Sequence, residues 1–311
     1  MAAAPFDRRA HPPEARFSTW RARDGWSIRV IDWPQQAKEA RGSLLFFGGR
    51  GDFIEKYLEP LHHWRSGGWN VASLDWRSQG SSRGDIQYGH LDSFEPLVAD
   101  GAAFIDEWIR STPGPHVAVG HSMGGHLLLR MIAEHRPALQ AAVLVAPMIG
   151  INTAPLPECV AVSIAQTFCL LGWSKVPAWR QSERRAPAGS QRQRYLTSCP
   201  DRYSDELWWL ERQPDYGLGP PTWGWLAAAY KSIANLTPDV LRRVELPILL
   251  LGAERDRLVS AEAIRGAALL LPQSQLLMFE DAAHEILREA DPVRLRALGC
   301  IDRFFEEHAK G

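Results

Sequence analysis

The chain has 311 residues, 45% of them hydrophobic, and a formal charge of -1 at neutral pH. That supply of apolar residues supports a sizeable core and excludes global disorder, while the balanced charge offers no basic face for nucleic acid. No apolar run approaches the roughly 18 residues that a membrane-crossing helix needs, so no integral membrane segment is expected. Met1 to Phe17 is rich in Ala, Pro, Arg and His, lacks the apolar centre of a secretory signal, and reads as a frayed tail. The cysteines at 159, 169, 199 and 300 show no metal-binding spacing. They read as reduced thiols of a cytoplasmic protein, with a Cys159–Cys169 bridge as an alternative.

In chain order, Arg16 to Arg23 and Trp26 to Trp33 read as two strands joined at Asp24-Gly25, a turn pair suited to hairpins. Ser43 to Phe47 reads as a buried strand and ends in Gly48-Gly49-Arg50-Gly51. Ile54, Tyr57, Leu58, Leu61 and Trp64 recur with a helical period. Trp69 to Leu74 is the next strand, followed by a loop from Asp75 to Gly84 and an amphipathic helix from Asp92 to Ile109. His116 to Val119 leads into Gly120-His121-Ser122-Met123-Gly124-Gly125, and a helical pattern follows at once; Ala141 to Val145 is one more buried strand.

From Met148 to Val244 the strand–helix alternation stops and the pattern is helical, broken by prolines. It resumes with a strand at Ile248 to Leu251, a helix at Ala261 to Leu271, a strand at Gln275 to Phe279 and a helix at Asp291 to Glu307. The alternation predicts an α/β fold: a doubly wound, mostly parallel sheet with an N-terminal antiparallel hairpin. Residues 1–147 and 245–311 form its core, and 148–244 is an inserted helical unit. Sites in such sheets collect in loops at the carboxyl ends of strands.

Gly-x-Ser-x-Gly between a buried strand and a helix is the context of a nucleophile elbow, in which a sharp turn exposes the serine hydroxyl. The alternative is an ordinary glycine-rich strand-to-helix turn. A serine needs a base to take its proton, usually a histidine oriented by a buried carboxylate. Of the ten histidines, His284 is the best base, since it lies in a small-residue loop just past a late strand. His62, His63, His126 and His135 fall in helical patterns, and His121, beside the serine, is expected to point away. Asp256, in the loop past 248–251, is the candidate carboxylate, with Glu254 as runner-up and Asp281 third. A surface pair with Arg255 or Arg257 is the bland alternative for Asp256. Oxyanion donors are expected from the backbone N–H of Met123 and of Arg50, with Gly49 allowing close approach. Arg50-Gly51-Asp52 reads as coincidence, and the glycine run is not a phosphate loop because it lacks the Gly-Lys-Ser/Thr ending.

These residues resemble the α/β-hydrolase superfamily, and more narrowly the bacterial lysophospholipase and monoacylglycerol lipase-like serine hydrolases. The resemblance rests on Gly120 to Gly125, the loop 75–84, Asp256 with Leu258-Val259, Ala283-His284-Glu285, Phe53 to Tyr57 and Pro221 to Trp225. It implies Ser122 as nucleophile, Asp256 as acid, His284 as base, the 148–244 insertion as a cap, and neither cofactor nor metal. One departure stands out: Gly48-Gly49 occupies the place where the family usually has His-Gly, which leaves open what braces the oxyanion loop. The Arg50 side chain reads either as a structural ion pair or as a cation favouring an anionic or phosphate-bearing substrate.

The insertion carries six tryptophans, at 173, 179, 208, 209, 223 and 225. An apolar roof over a serine suits one acyl chain, and Trp223 and Trp225 are the candidate pocket walls, with Gly224 letting the backbone approach a ligand; packing of the cap onto the core is the alternative role for both. The basic run from Arg180 to Arg194 reads as a solvated loop, with contact with phospholipid headgroups as the alternative. The expected activity is carboxylic ester hydrolysis on a small ester or a monoacyl lipid, lysophospholipid or monoacylglycerol, with transient contact with a membrane surface. Small-ester carboxylesterase and amidase or aminopeptidase are the rivals among enzymes, and a non-catalytic ligand-binding protein is the rival outside them. Dehalogenase and epoxide hydrolase chemistry is disfavoured, because a serine stands where those mechanisms use a carboxylate.

Overall fold

A computed structural model describes residues 6–35, 40–179 and 186–310. The sequence-predicted tail at 1–5 and the first residues of the basic run, 180–185, therefore lie outside the described residues. The first half of the chain contains β1 (Arg16–Arg21), β2 (Ser27–Trp33), β3 (Gly42–Phe47), α1 (Leu58–Ser66), β4 (Trp69–Leu74), α2 (Glu95–Ser111), β5 (His116–His121), α3 (Met123–His135) and β6 (Ala141–Val145). Five helices follow: α4 (Glu158–Leu170), α5 (Gln191–Leu196), α6 (Pro200–Arg212), α7 (Trp223–Ala234) and α8 (Pro238–Leu241). The chain closes with β7 (Ile248–Ala253), α9 (Ala261–Leu270), β8 (Ser274–Phe279) and α10 (Asp291–His308).

The strands form one sheet in the order β1-β2-β4-β3-β5-β6-β7-β8. The β1/β2 and β2/β4 pairs are antiparallel, and every pair from β4 to β8 is parallel. Every residue of β3, β5, β6 and β7 is buried. This is why they read as continuous apolar runs: crossover helices cover a parallel sheet on both faces. Register brings Phe47 opposite Gly120, and His121 opposite Val145. The loops after β3, β5, β7 and β8 thus emerge at one edge of the sheet.

One feature departs from the sequence reading, and a second was not addressed by it. From Phe6 onward the N-terminal segment is packed rather than frayed. Phe6 stacks on His62 at 4.4 Å, Arg9 pairs with Asp205 of α6 at 2.6 Å, and the Trp209 indole donates to the Arg8 carbonyl at 3.0 Å. An arginine pair facing an acidic helix supplies this anchoring, which hydropathy does not register. The second feature is α4, an apolar helix that packs on α7 yet buries only Ala165. Leu170 at its end is 88% exposed, and Leu171, Trp173, Val176 and Trp179 beyond it are also exposed. Among the described residues no helix is long and apolar enough to cross a membrane, and the four cysteines are free thiols.

Candidate active site

The turn between β5 and α3 holds Ser122 at φ 53°, ψ −119°, a conformation that costs a non-glycine residue on the order of 1–3 kcal/mol. Surrounding contacts fix it there. The Ser122 N–H donates to Val145 O at 2.9 Å, and its carbonyl accepts from His126 N and Met148 N. The flanking glycines are required sterically: a Cβ at Gly124 would stand 2.4 Å from the carbonyl oxygens of Phe47 and Gly48, and one at Gly120 would stand 2.7 Å from Gly124 O.

Ser122 Oγ lies 2.9 Å from His284 Nε2, and His284 Nδ1 lies 2.6 Å from Asp256 Oδ2. The other Asp256 oxygen accepts from the N–H groups of Leu258 and Val259 at 2.8 and 3.0 Å, which aims the carboxylate. All three side chains are buried, Ser122 being 9% exposed. Burial alone would depress the His284 imidazole, but the Asp256 carboxylate overcomes it and holds the pKa above the ordinary value. The rival carboxylates lie elsewhere: Glu254 pairs with Arg265, and Asp281 with Arg296, both at exposed positions.

The amides of Met123 and Arg50 have no acceptor among the described residues. Met123 is the first residue of α3, where an N–H has no intrahelical partner. Gly49 lies so close to the serine that a Cβ there would be 2.9 Å from Ser122 Cβ. The loop that carries Arg50 is therefore packed against the nucleophile position.

What braces this loop is Asp52, which sequence reasoning missed. Its Oδ2 accepts from Gly49 N at 2.6 Å and from the Tyr57 hydroxyl at 3.0 Å, and lies 3.2 Å from His121 Nδ1. Its Oδ1 pairs with Lys56 Nζ at 2.7 Å. Burial would raise the Asp52 carboxyl, but Lys56 and His121 hold it well below the usual carboxylate range. Lys56 in turn meets Glu285 at 2.5 Å and Glu206 of α6 at 3.2 Å, and Arg288 meets both of those carboxylates. His121 is buried beside His284, with ring centroids 4.9 Å apart, and its Nε2 lies 3.3 Å from the His284 carbonyl oxygen. The only sequence signal for this cluster was the run Asp52 to Tyr57, with Asp52 and Lys56 one helical turn apart.

The insertion also holds the histidine loop. Tyr195 O and Leu196 O accept from the N–H groups of His284 and Glu285, and Glu289 accepts from Ala283 N and Ser198 N at 2.7 Å each. Over the serine lies a cavity of about 230 Å³. Its apolar wall includes Met148, Ile151, Trp179, Trp225, Leu226 and Val259, and its polar side includes Arg50, Lys56 and Arg192. Trp225 is on that wall and Trp223 is not; Trp223 stacks on Phe168 of α4 at 4.2 Å. Residues two apart on a helix face different ways, so the pair cannot share one wall. Gly224 makes room for a neighbour rather than a ligand: a Cβ there would be 2.6 Å from His90 Cε1. Arg50 forms no ion pair among the described residues, which corrects the structural-pair reading of its side chain. Its Nη1 and Nη2 donate to Gly219 O at 3.2 Å and Tyr88 O at 2.9 Å, and its guanidinium lies over Trp225.

A family model described as serine aminopeptidase, S33, a hydrolase family, matches residues 38–291. The chain belongs to this family of α/β-hydrolases. The hydrolase is 30% identical over 320 positions to lysophospholipase L2 of Escherichia coli, covering 93% of this chain and 89% of that protein. It is 28% identical over 292 positions to a probable lysophospholipase L2 of Haemophilus influenzae, covering 89% and 87%. In fold it is similar to a soluble variant of monoglyceride lipase from Saccharomyces cerevisiae, solved with a substrate analogue. The TM-score is 0.76 at 16% identity, with 98% of this chain and 99% of that chain covered.

Proposed function

We propose that this hydrolase cleaves the carboxylic ester of monoacyl lipids through an acyl-enzyme on Ser122. The observation that carries the proposal is the unbroken hydrogen-bonded chain Ser122–His284–Asp256, opening on a cavity with a largely apolar wall. In this reading His284 Nε2 takes the Ser122 proton as Oγ attacks the ester carbonyl, and Asp256 stabilises the resulting imidazolium. The Arg50 and Met123 amides receive the developing oxyanion. His284 then protonates the departing alcohol, and a water activated by the same histidine releases the acid. Side chains, backbone amides and water supply every atom of this sequence.

The substrate class draws support from the relatives named lysophospholipase and from the apolar wall at Trp225, Leu226 and Met148. The insertion 148–244 acts as the cap that shapes this pocket. The exposed apolar run Leu170 to Trp179 makes transient contact with a lipid surface, and the free thiols fit a reducing, cytoplasmic compartment. The aminopeptidase description of the family keeps amide cleavage as a second reading.

A panel of esters of graded acyl length with matched amides tests both. Each buried methylene is worth about 0.8 kcal/mol, so kcat/KM should rise up to about fourfold per carbon until the pocket is full. A flat profile, or amides cleaved in preference to esters, would overturn the monoacyl-lipid reading.

A further inference from the structure

The charged groups around the cavity balance with one exception. Lys56, Arg192 and Arg288 interlock with Asp52, Glu206 and Glu285 through contacts of 2.5–3.2 Å. Arg50 stands outside this set. It lines the same cavity as Ser122 and His284, and no carboxylate pairs with it among the described residues. Two carbonyl dipoles and the Trp225 ring are its partners, and its Nε is buried with no acceptor at all. Of the five N–H donors of a guanidinium, three are uncommitted.

The position looks prepared rather than incidental. Both carbonyls that hold the guanidinium belong to residues with left-handed backbone, Tyr88 at φ 56° and Gly219 at φ 81°. Tyr88 is not a glycine, so it bears a conformational cost to be there. Burial without an anion pulls the Arg50 pKa down to about 9, the mark of a cation whose charge is not yet compensated. A half-buried charge lacking a counter-ion is costly to keep; a fixed guanidinium fork pairs bidentately with a phosphate or a carboxylate, and of the two monoacyl-lipid classes only the glycerophospholipids carry such an anion.

We propose that the Arg50 guanidinium is the recognition site for a phosphate on the leaving-group side of the substrate, so that the preferred substrates are monoacyl glycerophospholipids rather than neutral monoacylglycerols. This rests on the monoacyl-lipid reading above. The placement follows from the substrate's chemistry: in a monoacyl glycerophospholipid the phosphate is on the alcohol, leaving-group side of the ester, and the Arg50 side chain lines the same cavity as Ser122. Arg50 is thus a specificity residue, distinct from the groups that make and break bonds.

The test compares lysophosphatidic acid, lysophosphatidylcholine and monoacylglycerol carrying the same acyl chain, on the full-length protein and on Arg50→Lys and Arg50→Gln. The wild type should favour the two phosphate-bearing lipids. Arg50→Gln should cut that preference roughly 10- to 100-fold, the scale of a lost hydrogen bond to a charged group, with the change mainly in KM. Arg50→Lys should retain part of it. Free sn-glycerol 3-phosphate should inhibit the wild type competitively and glycerol should not, a readout independent of whether either variant folds.

Equal losses on phosphate-bearing and neutral lipids would show that Arg50 only staples the loops together, and would overturn the proposal. So would a wild type that prefers monoacylglycerol or ignores glycerol 3-phosphate, and in those cases the monoacyl-lipid reading survives. Turnover of short p-nitrophenyl esters with none of the three lipids cleaved would instead overturn that underlying reading, and this proposal with it. Inhibition by glycerol 3-phosphate without any preference among the lipids would mark Arg50 as a site for free phosphate esters, and would also overturn the assignment to the lipid headgroup.

Discussion

Asp52→Asn isolates the brace behind the oxyanion loop. The substitution keeps the shape of the side chain and removes its charge. In the resting geometry the carboxylate accepts from Gly49 N–H, the Tyr57 hydroxyl and the Lys56 ammonium, and His121 Nδ1 lies 3.2 Å from Oδ2. An amide NH2 placed on the Oδ1 side faces the Lys56 ammonium, and placed on the Oδ2 side it faces the Gly49 N–H, so one of these donors loses its acceptor. Each hydrogen bond to a charged group is worth about 1.5–3 kcal/mol. Lys56 keeps Glu206 and Glu285, so the loss should stay near one such bond, about 2–3 kcal/mol. At about 1.5 °C per kcal/mol for a chain of this length, the melting temperature should fall by about 3–5 °C. Removing an oxyanion donor outright costs about 10²–10³ in kcat; here the donor remains but is misplaced, so a loss of about 10- to 100-fold is expected, with KM little changed. Steady-state kinetics on a short p-nitrophenyl ester, beside thermal melts, separates the two effects. A lowered melting temperature with kcat intact would refute the argument that Asp52 positions the loop for chemistry.

Three further expectations follow from the same geometry. Activity should rise with pH as His284 loses its proton. Because Asp256 holds that pKa above its ordinary value, the acid limb of kcat/KM should lie above pH ~6.5 and move to lower pH in Asp256→Asn, with kcat reduced about 10³-fold or more; an acid limb unmoved in the variant would dissociate Asp256 from the base. Gly124→Ala should abolish labelling of Ser122 by a fluorophosphonate, since its Cβ would press on two backbone oxygens at 2.4 Å. Gly266→Ala in α9, which meets nothing within 4 Å, should instead raise stability by roughly 0.5–1 kcal/mol; melts and probe labelling check the pair. Leu170→Glu combined with Leu171→Glu should weaken sedimentation with phospholipid vesicles while leaving turnover of a short soluble ester in place.

The sheet was legible because its signal is local. β3, β5, β6 and β7 are buried on both faces, and burial of that kind writes unbroken apolar runs into the sequence. The positions of Ser122, Asp256 and His284 were legible for a related reason, since each follows directly from a strand whose end could be read. The loop brace was not legible. Asp52 is one helical turn from Lys56, but Glu206 and Glu285 come from two distant stretches, and only folding brings them to the same ammonium. Trp223 and Trp225 were misjudged as a pair because adjacency in sequence was read as a shared wall, whereas α7 turns one toward Phe168 and the other toward the cavity. The N-terminal segment was misjudged because charge pairing with α6, rather than hydropathy, holds it down.

The hydrogen bonds from the histidine loop to Tyr195 and Leu196 bear on how this enzyme can be redesigned. Substrate range in such hydrolases invites exchange of the whole insertion as an interchangeable module. Here that module has two parts with different liberties. The segment 186–212 carries the carbonyls that accept from His284 and Glu285, and the Glu206 carboxylate that meets Lys56. Replacing it would detach the base from its support. A graft confined to α4 and the loop down to Trp179 crosses none of those bonds. Chimeras with joints at about 152 and 179 should keep turnover of a soluble ester, whereas chimeras that also replace 186–212 should arrive folded around an unsupported histidine.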